Sequence, residues 1–366
     1  MERRKKIRGP FAQRRRRHHP HARVAVLLQI FIFVFIFTLA CHRASFNDRV
    51  DLSTYSLISP RSQENIRALA PSVVGIAAVF EYRIEFFQHE LAGGQFVADA
   101  ASPTGYRLAA GSNQVMTTKK IQKTTGGGLV IYRDMQQAVI LTCEHVVISP
   151  DTIVTFYRDL SGNETKIMAS RAIKRNATHH FINQVNQLEK AEILYTDARM
   201  DLGLLTVATK PSVGELFNSS IAYKAEVKWG DVAYVFGYPR EIKQLSLGLV
   251  SPAPYPGAFS LDVVGRYGFS GGPVFVVRPG GALELAGVIR GVPVTKLRYL
   301  APAPDLTSGQ LLQPDDLKQI AVEEHDLIEF GTVYAIGAEK IGRFLKASQS
   351  TLEAKGIFLP AQLLPQ

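Results

Sequence analysis

Short runs rich in β-branched residues, each bounded by Gly or Pro turns, recur along the chain from residue 66 onward. Runs of this length and spacing are typical of antiparallel barrels. A first group covers residues 72–80, 128–132, 138–143, 152–157, 191–195 and 201–208. After a link at residues 209–219, a second group covers residues 231–236, 246–251, 272–277 and 285–289. The pattern predicts an all-β protein in which one barrel follows another.

A turn beside one of these runs, Gly268 to Pro273, reads Gly-Phe-Ser-Gly-Gly-Pro. Glycines let the backbone adopt angles that a side chain would forbid. Such a turn can expose the Ser270 hydroxyl while the amides of Gly268 and Ser270 point into one small space. A serine nucleophile needs both an accessible oxygen and donors for the charge that develops on the carbonyl it attacks. The same residues also suit an ordinary tight turn between strands, so the interpretation depends on finding a base.

A candidate base and a candidate carboxylate both adjoin apolar runs. His145 lies near the end of the run Val-Ile-Leu-Thr-Cys-Glu-His-Val-Val (139–147), and Asp201 opens the run Asp-Leu-Gly-Leu-Leu-Thr-Val. A histidine can take the serine proton, and a carboxylate can hold its tautomer and stabilise its cation. Asp197 is a rival for Asp201 but lies in a polar stretch. Cys143 shares a strand face with His145, and core packing is the favoured interpretation of its thiol.

These three segments resemble those of trypsin-like serine peptidases, specifically the bacterial HtrA/Deg branch. That branch carries Leu-Thr-x-x-His-Val-Val, Asp-Leu-Ala-Leu-Leu and Gly-Asn-Ser-Gly-Gly-Pro, in this order. Here they occupy residues 141–147, 201–205 and 268–273. Weaker similarity at residues 70–76, 126–131, 236–239, 247–251 and 331–345 extends the resemblance over about residues 66–346.

The resemblance implies a fold of two antiparallel six-stranded β-barrels and a serine endopeptidase that uses no cofactor and no metal. His145, Asp201 and Ser270 would form the catalytic triad, and the amides of Gly268 and Ser270 the oxyanion hole. The substrates would be polypeptides, here unfolded or misassembled envelope proteins. About 20 residues follow Ala347, and we expect no peptide-binding PDZ domain there. The sequence leaves an oligomer open.

The resemblance also implies where the substrate pocket lies. Counting back six residues from Ser270 reaches Val264 at the pocket base, and the opposite wall comes from Val288, Ile289 and Arg290. An apolar base cannot offset the desolvation of a charged side chain. We therefore expect cleavage after small or medium aliphatic residues, unless Arg290 projects into the pocket and favours an acidic one.

Two other classes of function remain open. Phe269 and Tyr267 replace the Asn and Pro that the family usually has at these positions. The chain could therefore be a peptidase-fold binding or scaffold module with a distorted oxyanion loop. It could also be a structural anchor in which the basic N-terminal tail is the main functional part.

The N-terminal region is strongly basic and is followed by an apolar run. The formal net charge is +10, and residues 1–23 contain ten Arg or Lys and one Glu, so the rest of the chain is near neutral. A near-neutral domain lacks the basic surface of a nucleic-acid-binding protein, and no nucleic-acid partner is expected. Residues 24–40 are mostly apolar and predict a signal anchor in the membrane, a cleaved signal, or a lipoprotein signal with Cys41 as the lipidated residue. The positive charges would keep the N-terminus in the cytoplasm and place the peptidase domain on the periplasmic, extracytoplasmic side.

The predicted organisation is a basic tail (1–23), a signal segment (24–41), a linker (42–65), an N-terminal barrel (66–210), a C-terminal barrel (211–347) and a tail (348–366). Long loops are predicted at about residues 83–124 and 174–189. Residues 296–328, which contain prolines and acidic residues, interrupt the second barrel. His179 and His180 fall in the second loop, where solvated side chains are favoured over a metal site. A short amphipathic helix is predicted at residues 340–347.

Overall fold

The structure is a computed structural model that describes residues 60–93, 95–110, 115–158, 163–210, 213–223, 226–252, 257–302 and 320–365. The chain divides into two compact units, residues 1–55 and 56–366, and every described residue belongs to the second. The predicted basic tail, the signal segment with Cys41, and residues 42–59 of the predicted linker lie outside the described residues. Across the described ranges, no helix combines the length and apolar character needed to span a membrane.

Strands dominate the described part of the chain. The first nine are β1 (Val73–Phe87), β2 (Leu91–Ala92), β3 (Gln95–Phe96), β4 (Val115–Arg133), β5 (Gln137–Thr142), β6 (Thr152–Arg158), β7 (Glu164–Ile182), β8 (Leu188–Asp197) and β9 (Leu202–Ala208). The others are β10 (Val232–Gly237), β11 (Gln244–Pro252), β12 (Ala258–Leu261), β13 (Pro273–Val277), β14 (Leu283–Gly291), β15 (Val294–Pro302), β16 (Ile320–Ile328) and β17 (Val333–Gly337). Helices are α1 (Pro60–Leu69), α2 (Glu144–Val147) and α3 (Ala338–Glu353).

The first barrel is a ring of antiparallel strands in the order β1-β4-β5-β9-β8-β7, closed by pairing of β7 with β1, and β6 adds to the free edge of β7. Residues 73–78 of β1 are fully buried, which accounts for the β-branched run read from the sequence. Gly126, Gly127 and Gly128 of β4 pair with Ile76, Gly75 and Val74. The small residues allow the strands to pass close to the second barrel.

The second barrel is closed by six antiparallel strands in the order β10-β11-β12-β17-β14-β13. Its core contains buried side chains from several of these strands, including Val235, Phe259 and Val274. The all-β class and the pair of six-stranded antiparallel barrels are thus confirmed, with β6 as an extra strand. The signal segment that the fold prediction placed before them remains a prediction.

The two barrels share a continuous apolar core. The larger cluster of buried residues includes Leu141 and Leu204 from the first barrel and Phe236 and Phe275 from the second. Tyr238 crosses between them, since its hydroxyl donates to the Val73 carbonyl at 3.1 Å. Helix α3 packs on the same cluster through its apolar face and is longer than the predicted segment at 340–347.

Three segments predicted as irregular contain strands. β1 and β4 both extend into the predicted loop at 83–124. There they stay paired as far as Phe87, which lies opposite Val115. The predicted loop at 174–189 is wrong in its first half, because β7 continues to Ile182. The proline-rich interruption begins and ends with β15 and β16, which form an antiparallel hairpin. Polar strand residues explain these misses, since long exposed hairpins lack the apolar alternation that identifies a half-buried strand.

Candidate active site

His145 lies in the short helix α2, which follows directly from the buried strand β5. The strand fixes the backbone, while the imidazole remains partly exposed at the junction of the barrels. Its Nδ1–H donates to Asp201, with the two carboxylate oxygens at 2.8 and 3.0 Å. The His145 backbone N–H also donates to Asp201 Oδ1, at 3.2 Å. These contacts fix the ring orientation and leave Nε2 as the free nitrogen.

Asp201 occupies the turn between β8 and β9 with a backbone φ of 56°. This left-handed conformation is uncommon for a residue other than Gly, Asn or Asp, and here it aims the carboxylate inward. Burial would raise the pKa of Asp201, but hydrogen bonds from His145 and Arg290 and the charge of His145 outweigh it and hold the pKa below its usual value. The rival Asp197 instead accepts the backbone N–H groups of Arg199 and Met200, so it shapes the turn.

Ser270 lies in the turn between β12 and β13, and the glycines around it are required by close packing. Gly268 and Gly271 have φ values of 101° and 79°, which side-chain-bearing residues rarely adopt. A Cβ at Gly268 would lie 2.5 Å from the Tyr238 carbonyl oxygen. The Gly127 N–H donates to the Ser270 carbonyl at 2.7 Å, which joins the turn to the first barrel.

The Ser270 side chain reaches the same groove as His145, but the two are not hydrogen-bonded in the described chain. Ser270 Oγ donates to the Arg290 carbonyl at 3.1 Å. A groove of about 450 Å³ is lined by His145, Gly268, Ser270 and Arg290, among others. A rotation about the Ser270 side-chain bond would be needed before His145 could accept its proton. All three predicted triad residues therefore border one region, with the histidine and aspartate joined directly.

The two predicted oxyanion amides lie on that groove. Within the described residues, neither the Gly268 N–H nor the Ser270 N–H donates to a backbone carbonyl. The Gly268 carbonyl accepts the Tyr238 N–H at 2.8 Å, which fixes the orientation of this peptide. Their assignment as the oxyanion hole stays a prediction.

Cys143 is close to the pair but is not placed to react. One ligand atom from each of Cys143, His145 and Asp201 lies within 4.8 Å of the others. The thiol is fully buried and donates to the Ile289 carbonyl at 3.2 Å. Burial raises its pKa well above the usual value, and a protonated thiol is a poor nucleophile and a poor metal ligand. The geometry gives Cys143 a packing role.

The four predicted pocket residues are not brought together. Val264 is 57% exposed and does not line the groove. Val288 and Ile289 are fully buried in the core of the molecule, so their side chains cannot meet a substrate. Of these four residues only Arg290 lines the groove, because it follows Ile289, the last buried residue of β14. Counting along the sequence could not reveal this, since the position of Val264 depends on how the preceding loop folds.

Arg290 also links the groove to a second cavity. Its Nε lies 3.2 Å from Asp201 Oδ2, and the side chain is 65% exposed. The second cavity, of about 680 Å³, is lined by His145, Asp201 and Arg290 from one side and by Tyr334 and Lys340 from the other. The Arg290 backbone thus holds the serine while its side chain holds the aspartate.

His179 was predicted in a solvated loop, and that prediction is wrong. It lies in β7, where its Nε2–H donates at 2.7 Å to the carbonyl of Val147, the last residue of α2. Burial lowers the pKa of His179, which favours the neutral ring. The alternation of β7 is too irregular to have revealed this from sequence.

A family model described as "trypsin-like peptidase domain" matches residues 126–283. This match confirms the resemblance to trypsin-like peptidases. No curated protein matches the chain. The chain is also similar to solved structures of HtrA-type proteases, the branch that the sequence resembles.

One of these structures is a serine endoprotease from Yersinia pestis, with 14% identity, a TM-score of 0.41, and coverage of 80% of this chain and 67% of that one. Another is the HtrA-type protease AlgW with a tripeptide. It has 13% identity and a TM-score of 0.41, and the match covers 81% of this chain and 65% of that one. A third is AlgW with a decapeptide. It has 14% identity and a TM-score of 0.41, and the match covers 81% of this chain and 68% of that one. The chain spans about two thirds of the length of these proteins.

Proposed function

Because this chain contains a trypsin-like peptidase domain at residues 126–283, we propose that it is a serine endopeptidase. The observation that carries the proposal is the hydrogen-bonded pair of His145 and Asp201 on the groove that also exposes Ser270. We assign Ser270 as nucleophile, His145 as general base and acid, and Asp201 as the group that orients the imidazole. The HtrA/Deg branch and a preference for unfolded envelope proteins are part of the same proposal.

The geometry supports a two-step reaction. Ser270 Oγ leaves the Arg290 carbonyl and gives its proton to His145 Nε2 as it attacks the peptide carbonyl carbon. Asp201 holds Nδ1–H and stabilises the imidazolium. The amides of Gly268 and Ser270 would donate to the developing oxyanion, each worth about 3 kcal/mol in the transition state. His145 then protonates the leaving amine, and water releases the acyl group by the reverse sequence.

A second candidate is a peptidase-fold module that binds polypeptides without cutting them. The observation that favours it is the hydrogen bond from Ser270 Oγ to the Arg290 carbonyl, which keeps the hydroxyl away from His145. If this bond persists when a peptide binds, the hydroxyl is not activated.

Labelling by a fluorophosphonate separates these candidates, because the reagent reacts only with an activated serine. The full-length wild-type protein should be labelled, and Ser270→Ala should remove the label while circular dichroism shows a folded domain. Ser220→Ala is the matched control, since Ser220 is an exposed serine that bonds to Glu284 outside the groove. Equal labelling of wild type and Ser270→Ala would refute the assignment, and no labelling of either would favour the binding module.

We also propose that the peptidase domain is held on the outer side of a cytoplasmic membrane. The basic residues 1–23 and the apolar residues 24–40 support this orientation. On cell fractionation the protein should accompany membranes, and protease added to spheroplasts should digest the domain. Recovery of the intact chain as a soluble cytoplasmic protein would contradict it.

A further inference from the structure

The Lys and Arg residues that line the groove beside Ser270 have no acidic counterpart among the described residues of its wall. Lys123, Arg266 and Arg290 contribute to its wall, and within the described part of the chain no Asp or Glu lines it. The total charge after residue 23 is near zero, so this local excess does not reflect a basic domain. It is confined to the place where a substrate would meet the nucleophile.

Arg266 differs from the other two cations because its charge is not engaged. Lys123 is paired with Glu241, and Arg290 is paired with Asp201. Within the ranges that the structure describes, the exposed Arg266 guanidinium has no ion pair or hydrogen bond. Its own carbonyl accepts the Phe269 N–H at 3.2 Å, which holds Arg266 at the base of the serine turn.

The apolar pocket expected from the sequence does not compete for this role. Val264, the predicted pocket base, is exposed and does not line the groove, and Val288 and Ile289 are fully buried. Tyr267, which is 70% exposed, stands beside Arg266 on the groove. The groove therefore offers a guanidinium and an aromatic ring in addition to the valines at 146, 292 and 294.

We propose that this groove recognises polypeptides with Asp or Glu within two residues of the cleaved bond, and that Arg266 determines this specificity. The inference rests on the proposed function and names its substrate class. A carboxylate in the groove would gain charge-assisted hydrogen bonds from an arginine that has no other partner. Among the described residues, a Lys or Arg in the same position would meet the unpaired charge of Arg266 and find no carboxylate on the groove wall, so it is disfavoured.

Peptide binding tests the proposal without requiring cleavage. Full-length Ser270→Ala protein is titrated with fluorescent decapeptides that carry one Glu, or one Gln, at each of the four positions around a central Ala-Ala bond. Fluorescence anisotropy should show the Glu peptide binding about 3- to 10-fold tighter than its Gln partner in at least one position. The difference should shrink at about 0.5 M salt, because the groove is open to solvent.

Variants of the arginine locate the effect. In the Ser270→Ala protein, Arg266→Gln should reduce the Glu-to-Gln ratio to below about twofold, and Arg266→Lys should retain most of it. Arg343→Gln is the matched control, since Arg343 is an exposed arginine of α3 outside both cavities. It should leave the ratio unchanged.

The outcomes separate this inference from the proposed function. Equal affinity for Glu and Gln peptides at every position, or a ratio that Arg343→Gln lowers as much as Arg266→Gln, overturns the inference even if fluorophosphonate labels Ser270. A Glu preference that depends on Arg266, found in a protein that is not labelled, supports the inference and rejects the peptidase.

Discussion

Arg290 shows how one residue can join the candidate nucleophile to the candidate carboxylate. Its carbonyl accepts the Ser270 hydroxyl, and its guanidinium contacts Asp201. An extended peptide that pairs with the edge of β14 would compete for that carbonyl. Substrate binding could in this way release the hydroxyl toward His145, so the groove and the nucleophile are coupled through the backbone of one residue.

At Asp201, replacement of the carboxylate by an amide should separate orientation from packing. Asp201→Asn keeps the size of the side chain but cannot stabilise the imidazolium or hold the same tautomer. We expect kcat/KM on a denatured protein to fall by about 10⁴-fold. Asp197→Asn is the matched control, because Asp197 accepts the backbone N–H groups of Arg199 and Met200 in the turn. Its kcat/KM should fall by less than about tenfold. A larger loss for Asp197→Asn would transfer the role to that residue.

The pH dependence of the free energy of unfolding gives Asp201→Asn a second readout. The pKa of Asp201 is lower in the folded protein than its ordinary value of 3.8. The stabilisation is therefore complete above about pH 4 and is lost as the pH falls from there toward the lowered pKa. Urea denaturation should show wild type losing more stability than Asp201→Asn across this acidic range.

Among the elements, the strands that border the barrel cores could be predicted from sequence, and the exposed hairpins could not. The runs at 138–143 and 201–208 became β5 and β9, because alternating or continuous apolar residues report burial directly. β15 and β16 carry Lys296, Arg298 and Glu324 in exposed ion pairs instead. Pairing of polar strands leaves no periodic apolar signal, so these residues were interpreted as an interruption.

In the candidate site, too, some residues could be predicted from the sequence and others could not. His145, Asp201 and Ser270 could be identified because each adjoins a buried strand or a glycine turn whose local sequence fixes its backbone. The residues that line the groove beside Ser270 could not be predicted, because their positions depend on how loops fold against each other. Val264 is exposed, and Val288 is buried, although both occupy the expected positions along the chain. Arg266 lies in the same segment, and only the folded structure shows that it lines the groove together with Ser270.

At the scale of the whole molecule, Lys243 connects the two barrels through a half-buried cation. It lies between β10 and β11 of the second barrel. Its Nζ donates to the Ala70 carbonyl at 2.8 Å and to Gln184 Oε1 at 3.1 Å, beside the turn that follows β7. The ammonium also lies 5.8 Å from the centroid of the Tyr238 ring. Burial lowers the pKa of Lys243 from 10.5 to about 8.

This lowered pKa predicts that barrel docking strengthens as the pH rises from about 8 to about 10.5. Below pH 8 the lysine is protonated in both states, and burying its charge costs stability. Between the two pKa values the unfolded chain binds more protons than the folded one, so the free energy of unfolding increases with pH. The full shift corresponds to about 3 kcal/mol, and partial contact with solvent reduces this to about 2.

Urea denaturation of full-length wild type and Lys243→Met at several pH values between 7 and 11 measures this effect. Lys243→Met lacks the titrating amine, so the difference in stability between it and wild type should shift by about 2 kcal/mol in favour of wild type as the pH rises. Taking the difference removes the effect of the partly buried Tyr223, whose pKa burial raises in both proteins. Lys346→Met on α3 is the control, and its difference from wild type should stay constant. Parallel curves for wild type and Lys243→Met would show that the ammonium between the barrels is stabilised by its two oxygen acceptors as fully as it would be by water.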